Sequence, residues 1–266
     1  MSKMIINDIS MYYEVHGKGE PIVFIAGLGA DHTNWKEIID RFKDNYQVVV
    51  FDNRGAGQTD VPEGPYSIEQ MADDVFVLCS KLGIHHAHFI GSSMGGFILQ
   101  TLALHHPKLV KSATICNATS TIHSCFHLYL SAHLDLLKST APKELLFKAS
   151  ITWLFSYRFL SQPGMVEELI RLGMNNPHPF TIKGFEGQYA AIEQFDSRPW
   201  TSKIEVPTLV LASNEDLIFN EEAVNTLAKQ IPNATYYCFS ACGHLPQIEC
   251  PEEFTKVVLA FIVKGS

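Results

Sequence analysis

Two periodicities alternate along this chain. Short, almost wholly apolar runs predict strands buried on both faces; longer stretches with apolar residues every three or four positions predict amphipathic helices. Met4–Ile9 and Met11–His16 form a first pair of short strands, joined by Gly17-Lys18-Gly19 to a third, Pro21–Ala26. That apolar run ends in Gly27-Leu28-Gly29-Ala30 and is followed by a helix reaching about Phe42 and a buried strand, Gln47–Phe51. Ser67 and Gln70 make a capping box for a helix whose apolar positions are Ile68, Met71, Val75, Leu78 and Leu82, with Gly83 ending it. A strand-like Ala87–Ile90, a helical run from Phe97 to Leu104 and a strand over Ser112–Cys116 follow.

After Cys116 the rhythm changes. Residues 119–200 are helical in character and rich in aromatics, among them Phe126, Tyr129, Trp153, Phe155, Tyr157, Phe159, Phe185, Tyr189 and Phe195. Alternation then returns as Pro207–Ala212 (strand), Glu221–Ile231 (helix), Ala234–Phe239 (strand) and Pro251–Val263 (helix). Strands separated by helices predict an α/β fold with a mostly parallel, doubly wound sheet, because parallel neighbours need crossovers. The chain therefore divides into a core, 1–118 and 201–266, and a helical lid, 119–200, expected over the C-terminal ends of the strands. Most lid aromatics are expected to pack the helical layer, with candidate pocket walls among Trp153, Phe155, Tyr157 and Phe159.

Composition narrows the partners. A chain of 266 residues, 46% hydrophobic and 18% charged, can build one large globular core. Its net charge of −8 argues against nucleic acid or an anionic membrane surface. No apolar run approaches about 20 residues, so no membrane span is expected. The N-terminus shows no signal-peptide pattern, and six cysteines in this length read as reduced thiols, so a cytoplasmic location is expected. A homo-oligomer stays open. Cys238, Cys242, His244 and Cys250 fit no standard zinc spacing, and His123 and His127 lack a third ligand, so neither group predicts a metal.

The candidate chemistry centres on Gly91-Ser92-Ser93-Met94-Gly95-Gly96, a G-x-S-x-G between a predicted strand and a predicted helix. A tight turn there lifts the Ser93 side chain clear of the sheet and sets it at a helix N-terminus, where free N–H groups favour developing negative charge. This predicts a nucleophilic serine.

With that motif in this setting, the chain resembles the Ser-dependent α/β-hydrolases over most of its length outside the lid. The family's triad order, Ser then Asp or Glu then His, falls on Ser93, Asp216 in Ser213-Asn214-Glu215-Asp216, and His244 in Ala241-Cys242-Gly243-His244-Leu245-Pro246. Glu215 is a rival for the acid, and the alternative acid position after the next strand holds an amide, Asn117. The resemblance implies an oxyanion hole from the backbone N–H groups of Leu28 and Met94, although the family's frequent His-Gly is Ala26-Gly27 here. Asp52-Asn53-Arg54-Gly55-Ala56-Gly57 resembles a structural loop of the family, and Glu249 is expected in a hydrogen-bonding role.

The implied activity is cofactor-free hydrolysis of a small carboxylic ester or lactone through an acyl-enzyme on Ser93. Cys116-Asn117-Ala118-Thr119 and Gly184, Gln188, Tyr189 and Asp196 are similar to enol-lactonase and aminoacrylate-hydrolase types. A carboxylate-bearing lactone would call for a lid cation, with Arg158, Arg171 and Lys183 as candidates. Two alternatives stand beside this reading: a carbon–carbon bond hydrolase of ring-cleavage products, and a slow-turnover ligand-binding or signalling protein.

Overall fold

The computed structural model describes residues 2–264. Eight strands form one sheet in the order β1-β2-β4-β3-β5-β6-β7-β8. They are β1 (Ser2–Ile6), β2 (Ile9–His16), β3 (Glu20–Ile25), β4 (Tyr46–Phe51), β5 (Ala87–Ser92), β6 (Val110–Cys116), β7 (Thr208–Ser213) and β8 (Ala234–Phe239). Only the β1–β2 and β2–β4 pairings are antiparallel; every other neighbour is parallel. The helices are α1 (Lys36–Phe42), α2 (Ile68–Lys81), α3 (Met94–His105), α4 (Ser124–Lys138), α5 (Lys143–Leu154), α6 (Tyr157–Leu160), α7 (Met165–Met174), α8 (Ile182–Glu193), α9 (Glu221–Gln230), α10 (Pro246–Glu249) and α11 (Pro251–Lys264).

The apolar runs behave as the two-faced strand pattern requires. Ile22, Phe24, Val48 and Val50 point to the layer of α1 and α11, with Trp35, Phe42, Phe254 and Val258. Their neighbours Val23, Ile25, Val49 and Phe51 point to the opposite layer, with Met71, Val75, Phe97, Leu102 and Val224 from α2, α3 and α9. Each strand residue thus changes face from its neighbour, and both faces are covered. The sheet is doubly wound.

One boundary differs from the periodicity. The expected strand Met4–Ile9 is cut by a turn at Asn7-Asp8, where Asn7 adopts φ 50°, so Ile9 already belongs to β2. His88, within the expected strand Ala87–Ile90, lies buried in β5, its Nδ1 2.7 Å from Ser112 Oγ on the neighbouring strand. A polar side chain with a cross-strand partner fits a buried strand without its sequence saying so. The α2 start is as read: Ser67 Oγ accepts from the Gln70 N–H at 3.1 Å.

Five helices, α4 to α8, fill the interval between β6 and β7. They pack chiefly on one another, α4 against α5 and α8, and α5 against α7. Helix α8 meets the loop after β4 backbone to backbone: a Cβ on Gly184 would lie 1.9 Å from the Gly55 carbonyl oxygen. No helix among the described residues is long and apolar enough to cross a membrane.

Candidate functional site

Four consecutive parallel strands, β5 to β8, end on one edge of the sheet, and each delivers a polar residue there: Ser93, Asn117, Asp216 and His244. Ser93 joins β5 to α3 with φ 57° and ψ −122°, a left-handed conformation that costs a non-glycine residue energy. The turn holds because the backbones on either side approach closely. A Cβ on Gly91 would lie 2.2 Å from the Gly95 carbonyl oxygen. The Ser93 N–H donates to Cys116 O at 2.9 Å, and the Gly96 N–H donates to Ser93 O at 2.8 Å. Both bonds fix the main chain and leave Ser93 Oγ without a hydrogen-bond partner among the described residues. Ser93 is half-buried, whereas Ser92 and Met94 beside it are fully buried.

Asp216 follows β7, and its two carboxylate oxygens have separate tasks. Oδ1 accepts the Ile218 and Phe219 N–H groups at 2.7 and 3.1 Å; Oδ2 lies 2.8 Å from His244 Nδ1. Such a carboxylate is held in place by its own backbone and can fix the imidazole's orientation. The rival Glu215 makes no hydrogen bond or ion pair with His244; its N–H donates to Cys242 O at 3.0 Å. His244 is buried, and its Nε2 has no hydrogen-bond partner among the described residues.

Asn117 supports the histidine from below. Fully buried and at φ 44°, it directs its Nδ2 to the carbonyl oxygens of His244 at 2.9 Å and Gly243 at 3.2 Å, and to Ser213 Oγ at 3.0 Å. An amide serves there because a donor meets two carbonyls, which a carboxylate would repel. Glu249 clamps the same loop to the inserted helices. Its Oε1 accepts from the Gly243 and Ser156 N–H groups at 2.9 and 3.1 Å, and its Oε2 accepts from Ser156 Oγ at 2.5 Å. Burial lifts its carboxyl above the usual carboxylate range against the pull of those donors.

The turn after β3 approaches the elbow from the other side. A Cβ on Gly27 would sit 3.1 Å from Ser93 Cβ. The Leu28 N–H and the Met94 N–H, the latter in the first turn of α3, have no acceptor among the described residues. The Gly29 N–H does: it donates to Gln188 Oε1 at 2.8 Å, and Gln188 Nε2 donates to Arg54 O at 2.8 Å. Gln188 is fully buried on α8, so an inserted helix holds the turn. Asn176 does likewise, donating to Asp31 Oδ2 at 2.9 Å.

Beneath that turn, Asp31, His32 and Asp52 bring potential ligand atoms within 4.8 Å of one another. These atoms are already engaged. Asp52 Oδ1 lies 2.8 Å from His32 Nδ1 and accepts the His32 N–H at 2.7 Å, while Oδ2 accepts the Gln58 N–H at 2.8 Å. Asp31 Oδ1 accepts the Thr33 N–H at 2.8 Å. The group acts as a scaffold for the turn. Arg54 is structural as expected, buried and paired with Asp74 at 2.6 Å. His127, read beside His123, contacts Tyr189 Oη at 2.9 Å instead.

Aromatic side chains close the space above. Phe219, 5.8 Å from the His244 ring, packs edge-on to Phe126 of α4 and Phe97 of α3; Tyr129 stacks on Trp153 at 4.4 Å. Of the candidate pocket walls, Trp153 joins this layer. Phe155 and Phe159 stack on each other in a separate cluster with α7 and the His244 loop. Tyr157 is 84% exposed and points to solvent. Arg158, Arg171 and Lys183 also lie on the outer surface, Arg171 against Glu168 and Lys183 against Glu63. Sequence reading named Gln188 only within a family resemblance and missed its bond to the Gly29 N–H, as it missed the anchoring role of Asn117.

Comparison with known proteins agrees with this architecture. The chain is 30% identical over 261 residues to a protein of Serratia proteamaculans provisionally named carbamate hydrolase RutD, covering 96% of each. It is 27% identical to 3-oxoadipate enol-lactonase 2 of Acinetobacter baylyi, covering 95% of this chain and 93% of that one. The crystal structure of the enol-lactonase from Burkholderia xenovorans superposes with a TM-score of 0.89 at 26% identity, over 98% of this chain and all of the other. The family model described as alpha/beta hydrolase fold matches residues 20–251, and the chain belongs to that family of hydrolases.

Proposed function

We propose that the protein hydrolyses a small carboxylic ester or lactone, with Ser93 as nucleophile, His244 as general base and acid, and Asp216 as the group that orients His244. The observation that carries this reading is the Asp216–His244 pair at 2.8 Å, with the strained Ser93 turn presented at the same edge of the sheet.

In this mechanism His244 Nε2 takes the Ser93 hydroxyl proton as Oγ attacks the substrate carbonyl carbon. The carbonyl oxygen becomes an oxyanion held by the Leu28 and Met94 N–H groups, whose lack of other acceptors leaves them free for it. Asp216 stabilises the imidazolium through Nδ1. The intermediate collapses, the carbon–oxygen bond breaks, and His244 returns the proton to the departing alkoxide. Water then attacks the acyl-enzyme with His244 again as base, releasing the acid and free Ser93. Helices α4 to α8, as a lid over residues 119–200, exclude bulk water during these steps.

A carbamate is the second reading, favoured by the similarity to the Serratia protein. The same residues would form a carbamoyl-enzyme, whose carbonyl is less reactive toward water.

The test is fluorophosphonate labelling with peptide mapping, followed by turnover of short-chain p-nitrophenyl esters, lactones and carbamates. Label on Ser93 with repeated ester or lactone turnover is the expected outcome. Turnover of carbamates alone would select the second reading, and label without any turnover would favour a ligand-binding role. Absence of label from the folded, lid-trimmed protein would remove Ser93 as nucleophile.

A further inference from the structure

Helix α4 buries three side chains, Phe126, Leu130 and His133. The first two are apolar, as the inner face of a packed helix should be. His133 is 7% exposed, yet neither of its ring nitrogens has a hydrogen-bond partner among the described residues. The ring nitrogens are not among the sealed, unpaired polar atoms, so they keep access to open space beside the helix, and the imidazole's contacts with protein are ring contacts: Tyr129 stacked at 5.6 Å and Phe185 tilted at 5.7 Å. Burial pushes its pKa below the usual histidine value, so the ring stays neutral at physiological pH, one nitrogen a donor and the other an acceptor.

Its neighbours lead to the site on both sides. Phe185 packs against the turn of the unpartnered Leu28 N–H, its ring 3.5 Å from where a Cβ on Gly29 would lie. On the other side, Tyr129 stacks with Phe126, Phe126 meets Phe219, and Phe219 meets His244. His133 therefore sits in an aromatic roof whose two ends rest on the oxyanion turn and on the histidine. The lid cations lie elsewhere: Arg158, Arg171, Lys183 and the four other Lys and Arg residues of 119–200 are all exposed.

We propose that His133 is a specificity-determining residue, which hydrogen-bonds an oxygen or nitrogen on the part of the substrate remote from the scissile carbonyl. The substrate class that follows is an uncharged ester or lactone with an apolar body and one remote polar group, such as a ketone, hydroxyl or amide. A dicarboxylate finds no fixed positive charge in this roof. The inference rests on the acyl-transfer reading of the site.

The experiment uses the full chain and p-nitrophenyl esters of straight-chain acids carrying a ketone at C4, C5 or C6. Each is measured against its plain alkyl parent and corrected for hydroxide-catalysed hydrolysis. Wild type is expected to favour at least one keto ester about tenfold in kcat/KM, because a site with an unpaired polar group rejects the analogue that leaves it unpaired. His133→Phe should bring that ratio to about one, and His133→Gln, which keeps a donor and an acceptor, should restore part of it. Wild-type turnover without preference at any position overturns the proposal, whatever the variants do. So does a preference that survives His133→Phe. If no ester turns over and Ser93 does not label, the acyl-transfer reading has failed and this inference falls with it.

Discussion

The sheet with its flanking helices and the insertion between β6 and β7 are built to different standards. Strands β5 and β7 are buried at every position, whereas α7 buries none of its ten residues. Leu128, Leu136, Leu145, Tyr157, Leu172, Met174, Phe180 and Ile182 are all large, exposed and in the insertion. An element with few buried contacts opens locally at less cost than one sealed on all sides. The difference teaches a division of labour. The sheet fixes the backbone that carries Ser93, Asp216 and His244, and the insertion is a looser layer that bears on them through a few directed hydrogen bonds.

The sharpest separation of the two regions comes from chemistry without loss of fold. Ser93→Ala is expected to lower ester turnover by roughly 10⁴–10⁶-fold with an unchanged melting temperature, since residues acting as a unit fail together. Steady-state kinetics and calorimetry on one sample check both halves; near-normal turnover would sink the nucleophile assignment.

The packing contrast itself is tested by truncating one ring in each region. Phe89→Ala, in fully buried β5, should cost about 3–5 kcal/mol in urea unfolding. Tyr157→Ala, whose ring is mostly in solvent, should stay within about 0.5 kcal/mol. Similar losses would mean that the insertion is as tightly integrated as the sheet.

What the sequence disclosed follows the same division. Apolar runs and helical spacing are local signals, so β3 to β8, the elbow and the helix starting at Ser67 could all be placed from them. Asp216 and His244 came from chain order and loop resemblance, and the 2.8 Å contact between them fits that placement. The links between insertion and sheet were not legible. Gly29 and Gln188 are 159 residues apart, and Ser156 and Glu249 are 93 apart. A hydrogen bond at that separation leaves no period in the sequence. His133 was equally silent, being one polar residue on an otherwise ordinary helix face.

One of those links gives the next largest effect. Gln188→Ala removes the acceptor that holds the Gly29 N–H, and a small displacement of the neighbouring Leu28 N–H should cost roughly 10- to 100-fold in kcat with KM little changed. Gln188→Glu keeps an acceptor toward Gly29 and should recover part of the loss. Equal falls in both variants, with matching losses of melting temperature, would reduce Gln188 to a packing residue.

The smallest effect concerns the scaffold under the same turn. Burial draws the His32 pKa down, but the Asp52 hydrogen bond and charge outweigh it and hold the value above the ordinary one. The folded state therefore favours the protonated ring. Its stabilisation is complete below the ordinary histidine pKa, about 6.5, and is lost as pH rises through the higher folded value. His32→Gln should flatten this decline across the slightly acid to slightly alkaline range in denaturant titrations. An unaltered pH slope would show that His32 does not titrate in the folded protein.

The contact between Gly184 and Gly55 bears on how such a protein could change over generations. A helical insertion closed off by two neighbouring strand ends looks like an exchangeable part, free to be traded by recombination for another with different pocket walls. Yet α8 docks where there is no room for even one carbon atom beyond the backbone. A replacement that brings alanine to that point arrives already propped open, with its counterpart of Gln188 lifted away from the turn after β3. Heritable variation in the insertion is thus channelled toward side chains such as His133 that face inward from the helices, while the seam along Gly55 and Gly184 stays closed to exchange.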